Sequence, residues 1–349
     1  MSKSVIISDT HCGARNSSEI FIQYQEDFYS KVLFPYMLEN DITHIIHAGD
    51  YYDHRKFVNF KALNANNEHF LDKLVEFNIK MDIIPGNHDV YYKNTNKLNS
   101  LQVLMQNYTS HVSIHMDPVE INEKCCLIPW ITADNYGQVM NFVSKTEVPV
   151  CIGHFEFSGF ELYPGTIAQH GMDASLFRKF DLVLSGHYHT KSSYGNTTYL
   201  GAQMEFTWAD ADDPKFFHVI DWDDLSITTV QNPITLFQKV NYNDVIYNYT
   251  DFDFSIFDNK YVKVIVDKKT DAYLFEKFVD NIQLREIHDL KIVENFEMIV
   301  TPEDEDIAFE DTSELLNKFV ESMDTQLDKD TLSAKLQDLY RAAQELEFE

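Results

Sequence analysis

Five short apolar runs, each followed at once by aspartate, asparagine or histidine, constrain the fold of this chain more than any other feature. They read VIISDTH, HIIHAGDYYD, MDIIPGNHD, VPVCIGHFE and DLVLSGHYH. Runs of this length and β-branched content indicate buried strands. Four of the 11 glycines stand directly before the polar residue, where glycine permits a sharp turn or a close backbone approach. They are Gly49, Gly86, Gly153 and Gly186.

The stretches between these runs predict helices. SSEIFIQYQEDFYSKVLFPYMLEN and FKALNANNEHFLDKLVEFN both carry apolar residues on one helical face. The alternation of strands and helices predicts an α/β layered fold with a largely parallel central sheet. Because the carboxyl ends of parallel strands share one edge of a sheet, the five polar clusters should meet there.

The converging residues form a set that suits transition metals. Mixed carboxylate and imidazole ligands fit Mn²⁺, Fe²⁺ or Zn²⁺ better than Mg²⁺ or Ca²⁺, which prefer oxygen alone. Seven ligands are too many for one ion and fit two ions sharing a carboxylate, a centre that hydrolyses phosphate esters. His88 could donate a proton to the leaving alkoxide. The candidate ligands are Asp9, His11, Asp50, Asn87, His154, His187 and His189.

The motifs resemble the signatures of the calcineurin-like metallophosphoesterases, since DTH, GDYYD, GNHD, GH and GHYH occur in that family's order. The resemblance covers roughly residues 4–220 and implies a four-layer α/β/β/α sandwich with two divalent metal ions. It makes His88 catalytic and Asp53 supporting, and it leaves the role of His54 open. It assigns one ion to Asp9, His11, Asp50 and His189, and the other to Asp50, Asn87, His154 and His187.

Two further segments, CIGHFEFSGFELYPGTIAQHG and YLGAQMEFTWADADDPKFFHVIDW, resemble the nuclease subunits of SbcCD-type complexes, and among them those of T-even phage recombination endonucleases. This resemblance implies a Mn²⁺-dependent DNA nuclease, with 3′→5′ exonuclease and single-strand endonuclease activity, in recombination and double-strand break repair. It also implies an SMC-like, SbcC-type ATPase partner and a homodimer formed through the nuclease domain. Two alternatives stay open: a protein phosphatase or cyclic-nucleotide phosphodiesterase with the same centre, and a non-catalytic DNA-end scaffold.

Three domains are expected along the chain. Residues 1–232 form the metallophosphoesterase nuclease domain, and residues 233–300 form a small α/β capping domain that contacts DNA and reads strand–helix–strand. Residues 301–349 hold an acidic linker and a C-terminal helical arm, which either packs on itself or, as its position and the resemblance favour, docks on the ATPase. The residues assigned to that docking surface are Leu315, Leu316, Phe319, Val320, Leu332, Leu336, Leu339 and Tyr340.

The charge balance argues against nucleic-acid binding through bulk electrostatics. With 56 acidic against 28 basic residues, the net charge is −28, whereas non-specific DNA binding needs a cationic surface. Bound metal ions and a partner would then supply positive charge. Four basic residues just after the metal motifs could contact DNA phosphates, although each one taken alone fits a solvated surface residue slightly better: Arg15, Arg55, Lys56 and Lys191.

The remaining sequence features are expected to be structural. The four cysteines lack the spacing of a disulfide framework or zinc site, and the chain shows neither a signal peptide nor an apolar run long enough for a membrane span. A cytoplasmic protein is therefore expected, in the host cytoplasm if a phage encodes it. Trp130 is expected in the core, and His44, His47 and His170 are expected to be hydrogen-bonded structural residues.

Overall fold

All five apolar runs are strands, but they belong to two sheets. The computed structural model describes residues 2–294 together with Lys329 and Lys335. Lys3–Ile7, His44–His47 and Lys80–Ile83 lie parallel in one six-stranded sheet, and Val150–His154 and Leu182–Gly186 lie parallel in another. The predicted strands are confirmed, and they form two sheets, as the four-layer sandwich requires, instead of the one central sheet that the alternation of strands and helices suggested.

In the first large sheet five strands run in one direction and one runs against them, and in the second sheet four run in one direction and two against them. In spatial order the first sheet contains β16 (Ile227–Gln231), β15 (Phe216–Asp221), β1 (Lys3–Ile7), β2 (His44–His47), β3 (Lys80–Ile83) and β6 (Val112–Ile114). The second contains β13 (Ser192–Tyr194), β14 (Thr197–Tyr199), β12 (Leu182–Gly186), β9 (Val150–His154), β8 (Cys125–Ile128) and β7 (Val119–Asn122). Two hairpins pair β4 (Val90–Tyr92) with β5 (Thr95–Asn99) and β10 (Glu161–Tyr163) with β11 (Thr166–Ile167).

Helices occupy the segments where the sequence predicts them. A π-helical turn at Tyr29–Leu33 joins α2 (Glu19–Phe28) to α3 (Phe34–Glu39), and another at Asn67–Leu71 joins α4 (Phe60–Asn66) to α5 (Asp72–Glu76), so each predicted segment is nearly continuous. No helix in the described part of the chain is long and apolar enough to cross a bilayer. The helices are α1 (Ala14–Ser17), α2 (Glu19–Phe28), α3 (Phe34–Glu39), α4 (Phe60–Asn66), α5 (Asp72–Glu76), α6 (Ser100–Leu104), α7 (Tyr136–Lys145) and α8 (Ala272–Gln283).

Alternating side chains explain why the two sheets face each other. Val5 and Ile7 of β1 pack with the helical layer formed by α2 to α5, whereas Ile6 points the other way. Ile6 lies in a separate cluster with Leu127 and Ile152 of the second sheet. The outer face of that sheet packs against α7 through a third cluster. The order of layers is α/β/β/α, as the family resemblance implies, and the strands are apolar on both faces because both faces are covered.

A third, smaller sheet follows the two large ones. It pairs β17 (Phe237–Asn243), β18 (Tyr261–Lys268) and β19 (Asp289–Glu294) in parallel, with α8 as the crossover between β18 and β19. Asp271 caps α8 by accepting from the backbone of Tyr273 at 2.9 Å. The sheet and helix share a cluster that contains Val264 and Phe278. The predicted strand–helix–strand unit is confirmed.

The domain boundaries stay predictions. The chain divides into two units, Met1–Glu297 and Met298–Glu349, so the boundary expected at residue 232 falls inside the first unit. Apart from Lys329 and Lys335, the predicted acidic linker and helical arm lie outside the described residues, and so do all the partner residues assigned between Leu315 and Tyr340.

Candidate metal centre

Three groups of ligand-type side chains lie where the strands of the two large sheets end. In each group, one nitrogen or oxygen atom per residue lies within 4.8 Å of the others. The Oδ1 atom of Asn87 joins the second group, 2.9 Å from His187 Nδ1 and 3.0 Å from His154 Nε2. The seven predicted ligands are therefore brought together. The groups are Asp9, His11 and His189; Asp50, His154 and His187; and His11, Asp53 and His88.

The Nε2 atom of His154 faces two oxygen atoms. Its Nδ1 lies 2.8 Å from the carbonyl oxygen of Ala48, so Nδ1–H donates there and the neutral ring carries its lone pair on Nε2. Nε2 faces Asn87 Oδ1 at 3.0 Å and Asp50 Oδ2 at 3.2 Å. Three buried acceptors facing one another repel, so this arrangement requires a proton or a metal ion between them.

The first group contains a second pair of facing nitrogen atoms. His11 Nε2 lies 3.1 Å from His189 Nε2. His11 Nδ1 is buried 3.4 Å from Asp53 Oδ1 and makes no hydrogen bond within the described residues. The Asp9 carboxylate accepts from the backbone N–H of His187 at 3.1 and 3.2 Å, which ties this group to the second. Imidazole nitrogens and carboxylate oxygens in this proportion fit divalent transition metals in both groups.

Of the four candidate histidine ligands, two are positively charged when no metal is bound, since each holds a proton on both ring nitrogens. Burial lowers the pKa of His11, but Asp53, Asp50 and Asp9 outweigh burial and raise it to about 9. Burial likewise lowers the pKa of His154, and the charge of Asp50 raises it to about 9. Burial and the neighbouring His11 lower the pKa of His189 to about 4, and burial with the charge of His154 holds that of His187 well below its usual value.

We expect metal binding to release protons. At pH 7.5, His11 and His154 are protonated because both pKa values are about 9, and a metal ligand must lose that proton. Loading both ions should therefore release about two protons, and the apparent Mn²⁺ affinity should rise as pH increases from 6 toward 9. Calorimetric titration in buffers of different ionisation enthalpy measures this number. The His11→Asn variant should release about one proton, and buffer-independent enthalpies would contradict the assignment.

Four of the candidate metal ligands have a left-handed backbone conformation. Asp9, His11, Asp50 and His187 have φ values of 51°, 44°, 55° and 91°. Each such conformation costs a non-glycine residue about 1–3 kcal/mol and is found where function requires it. Gly86 allows the close approach of two loops, since a Cβ atom there would lie 2.1 Å from Asp50 Oδ1. The close approach of the two loops thus explains the glycine before the polar residue. The left-handed backbone of the aspartates and histidines, in contrast, cannot be predicted from the sequence.

Asp89 is a buried carboxylate that the sequence did not identify as part of the site. It accepts from the backbone N–H groups of Tyr51 and Tyr52 at 3.0 Å and of Gly86 at 2.9 Å. These bonds join the loop that carries Asp50 to the loop that carries Asn87. Burial and the charge of Asp50 raise the pKa of Asp89 to about 6. Its place as the last residue of GNHD is the only signal in the sequence.

Replacing Asp89 with alanine should loosen both loops. Three buried N–H groups lose their acceptor, so the free energy of unfolding should fall by about 2–4 kcal/mol. Metal affinity should fall by about 10- to 100-fold, as for other residues that orient metal ligands. Urea unfolding and Mn²⁺ titration measure the two effects. The Asp134→Asn variant, at an exposed carboxylate bonded to Thr95, is the control and should change neither.

A buried ion pair holds the loop of His189. Lys215 Nζ lies 2.6 Å from Asp210 Oδ1 and donates to the carbonyl oxygen of His189 at 3.1 Å. Asp210 accepts from the backbone N–H of Phe206 at 3.0 Å, and the Phe206 ring lies 5.5 Å from that of His189. These three residues lie in the segment EFTWADADDPK, where composition gives no sign of a buried lysine.

His88 and His54 occupy different positions beside Asp53. His88 Nδ1 lies 2.6 Å from the carbonyl oxygen of Asp53, so Nδ1–H donates to it. The ring of His88 contacts that of His11 at 5.0 Å, edge to face. His54 Nε2 lies 3.4 Å from Asp53 Oδ2, and the His54 ring stacks on Phe57. Within the described residues, His54 belongs to none of the three ligand groups.

The predicted DNA-contacting residues lie near the groups, and their function stays a prediction. Arg15 Nε donates to the carbonyl oxygen of Phe206 at 3.0 Å. Arg55 and Lys56 lie on the loop that follows Asp53, and Lys191 is exposed two residues after His189.

Two expectations about single residues are wrong. Trp130 is half-buried rather than in the core, with its ring 5.3 Å from His187 and 5.8 Å from His154. His170 is exposed, because it lies in a surface loop after β11. By contrast, His44 binds Asp82 at 2.8 Å and His47 binds Thr10 at 3.0 Å, so both are hydrogen-bonded structural residues as expected.

Comparison with known proteins assigns the chain to a family. The profile described as calcineurin-like phosphoesterase matches residues 2–191. Exonuclease subunit 1 of Enterobacteria phage T4 is 27% identical over 332 residues, which are 94% of this chain and 95% of that protein. The SbcD component of the nuclease SbcCD from Staphylococcus saprophyticus is 23% identical over 286 residues, 70% of this chain and 73% of that protein.

Two further matches are more limited. The SbcD component of the same nuclease from Staphylococcus epidermidis is 24% identical over 211 residues, 51% of this chain and 54% of that protein. A solved structure described as a novel archaeal phosphodiesterase matches at 12% identity and a TM-score of 0.33, over 66% of this chain and 99% of its own. The assignment rests on the profile, which spans more than half of the 349 residues and contains all seven converging ligands. This chain belongs to the calcineurin-like phosphoesterase family.

Proposed function

We propose that this chain is a metal-dependent DNA nuclease that hydrolyses phosphodiester bonds at DNA ends and in single strands. The proposal rests on two adjacent groups of candidate metal ligands, which we call the donor groups because they would donate electron pairs to a metal ion. One contains His11 and His189, and the other contains His154 and His187. They are linked through the Asp9 carboxylate and the backbone of His187. A single ion needs only one such group, so two groups favour a two-ion centre.

The chain's own residues divide into those that hold ions and those that act on the substrate. Two divalent cations, which we propose to be Mn²⁺, would neutralise the phosphate oxygens and activate water. Asp50 accepts from the backbone N–H of His88 at 2.8 Å, which fixes His88 beside the donor groups. With Nδ1–H donated to the carbonyl oxygen of Asp53, Nε2 is the atom of His88 that would pass a proton to the leaving alkoxide.

The relatives support DNA as the substrate. The phage relative is named as an exonuclease subunit and matches over nearly the full length of both chains. The bacterial relatives are named as the SbcD components of SbcCD nucleases. We therefore propose 3′→5′ exonuclease and single-strand endonuclease activity in recombination and repair, a homodimer, an SMC-like ATPase partner, and action in the cytoplasm, that of the host if the gene is carried by a phage. The net charge of −28 favours a partner that supplies positive charge to hold DNA.

A direct assay tests the activity. The purified chain with Mn²⁺ should shorten end-labelled linear DNA and open circular single-stranded DNA, and excess EDTA should stop both reactions. The label that is released first gives the polarity. Parallel assays with p-nitrophenyl phosphate, a phosphopeptide and cyclic AMP test the phosphatase and phosphodiesterase alternatives. If those are hydrolysed and DNA is not, the nuclease proposal is wrong; if nothing is hydrolysed while DNA ends are bound, the scaffold alternative holds.

The partner is tested separately. The full chain should co-purify with the candidate SMC-like ATPase, and the chain truncated after Pro302 should not. The truncated chain should keep its metal-dependent cleavage without the ATPase, because the donor groups lie between Asp9 and His189. Unchanged co-purification would remove the docking assignment of residues 301–349 and leave the nuclease proposal intact.

A further inference from the structure

Trp130 occupies a strand end at the edge that carries the donor groups. It follows β8, which pairs in parallel with β9, the strand that ends at His154. Its indole ring lies 5.3 Å from the His187 ring and 5.8 Å from the His154 ring. The neighbouring strand ends at this edge contribute metal-ligand side chains, whereas this one contributes a large aromatic surface.

Three hydrogen bonds fix the backbone of Trp130. Its backbone N–H donates to the carbonyl oxygen of Pro85 at 2.9 Å, on the loop that carries Asn87. Its own carbonyl oxygen accepts from Asn96 Nδ2 at 2.7 Å and Asn135 Nδ2 at 3.0 Å. Within the described residues, the ring is in none of the four hydrophobic clusters. A half-buried indole that lies beside two imidazole rings, on a backbone fixed by hydrogen bonds, is a contact surface for a flat, partly apolar ligand.

We propose that Trp130 contacts substrate by stacking on the base of a nucleotide that flanks the scissile phosphate. This inference rests on the proposed nuclease function and specifies its substrate. A phosphate held at the group of Asp50, His154 and His187 brings the adjoining nucleoside to the indole, because the ring contacts two of those three side chains. Stacking tolerates every base, as an enzyme that acts on any sequence requires.

The same contact selects unpaired nucleotides. In a duplex, each base is already stacked between its neighbours and cannot present its face to a side chain. Trp130 therefore favours bases at frayed ends or in single strands, where the face is accessible. The aromatic ring thus biases the site toward single-stranded and end substrates without reading sequence.

An abasic substitution in the substrate tests the stacking. The substrate is an end-labelled oligothymidylate with one tetrahydrofuran abasic residue, and the rate of cleavage is measured at every bond. The wild-type chain with Mn²⁺ should cut one of the two bonds flanking the abasic residue about 10-fold more slowly than the others. The Trp130→Ala variant should cut all bonds about 10-fold more slowly, with no additional effect of the abasic residue, and its Mn²⁺ affinity should equal that of the wild type.

Controls separate stacking from a structural role. The Trp130→Phe variant, which keeps an aromatic face, should recover part of the rate and of the abasic sensitivity. The Trp208→Phe variant changes a tryptophan that packs on Phe237 instead and should behave as wild type. If Trp130→Ala keeps the wild-type sensitivity to the abasic residue, or loses rate and Mn²⁺ affinity together, the inference is overturned while the nuclease proposal stands. A wild-type chain that cuts no DNA overturns both.

Discussion

The Asp50→Asn variant should lose DNA cleavage by at least about 1,000-fold. Asp50 Oδ2 lies 3.2 Å from His154 Nε2, and Oδ1 accepts from the backbone N–H of His88 at 2.8 Å. Asparagine keeps the size and the acceptor for His88 but removes the negative charge. Losing the charge that offsets a divalent cation costs several kcal/mol, and each 1.36 kcal/mol is tenfold in rate.

The expected result includes two further measurements. Mn²⁺ affinity should fall together with the rate, and the pKa of His154 should fall, because Asp50 is the charge that raises it most. Proton release on metal binding should then decrease, which calorimetry records. Asp82→Asn is the matched control, since Asp82 also binds two histidines, His44 at 2.8 Å and His115 at 2.7 Å, outside the donor groups. Asp50→Asn with normal Mn²⁺ affinity would show that Asp50 is not a ligand.

The strands and the ligand set could be predicted because each strand is apolar on both faces and ends in side chains with little use in packing. Such runs are recognisable locally, and so is the glycine that precedes four of the polar residues. The residues that pack against each face of a strand, however, lie far away in the sequence. Ile6 packs against Leu127 and Ile152, more than 120 residues away, so the sequence alone could not divide five similar strands between two sheets.

The supporting residues could not be predicted for a different reason. Lys215 is buried next to Asp210 and donates to the carbonyl oxygen of His189. From the sequence, a lysine among aspartates is expected on the solvated surface. Trp130 is predicted to be a core residue because its neighbours in the sequence, IPWIT, are mostly apolar. The left-handed backbone at Asp9 and Asp50 is also invisible in sequence, since these residues adopt it only because the fold holds them there.

His88→Ala should separate metal binding from chemistry. His88 donates from Nδ1 to the carbonyl oxygen of Asp53 at 2.6 Å, and its backbone, not its side chain, is bound by Asp50. Alanine therefore removes the proton donor and keeps the loop. Loss of a general acid lowers kcat by about 100- to 10,000-fold, whereas Mn²⁺ affinity should change by less than about threefold. Added imidazole should restore part of the rate by entering the space left by the ring.

The neighbouring His54 provides the matched control for His88. Its Nε2 atom lies 3.4 Å from Asp53 Oδ2 and has no place in the proposed mechanism, so His54→Ala should keep the wild-type rate within about threefold. His88 also lies in a donor group with His11 and Asp53, and this placement makes a competing assignment possible. If His88→Ala loses Mn²⁺ affinity as strongly as Asp50→Asn, His88 is a metal ligand rather than the acid. If it cleaves DNA at the wild-type rate, the side chain has no part in the reaction, and the proton must reach the leaving oxygen from another group.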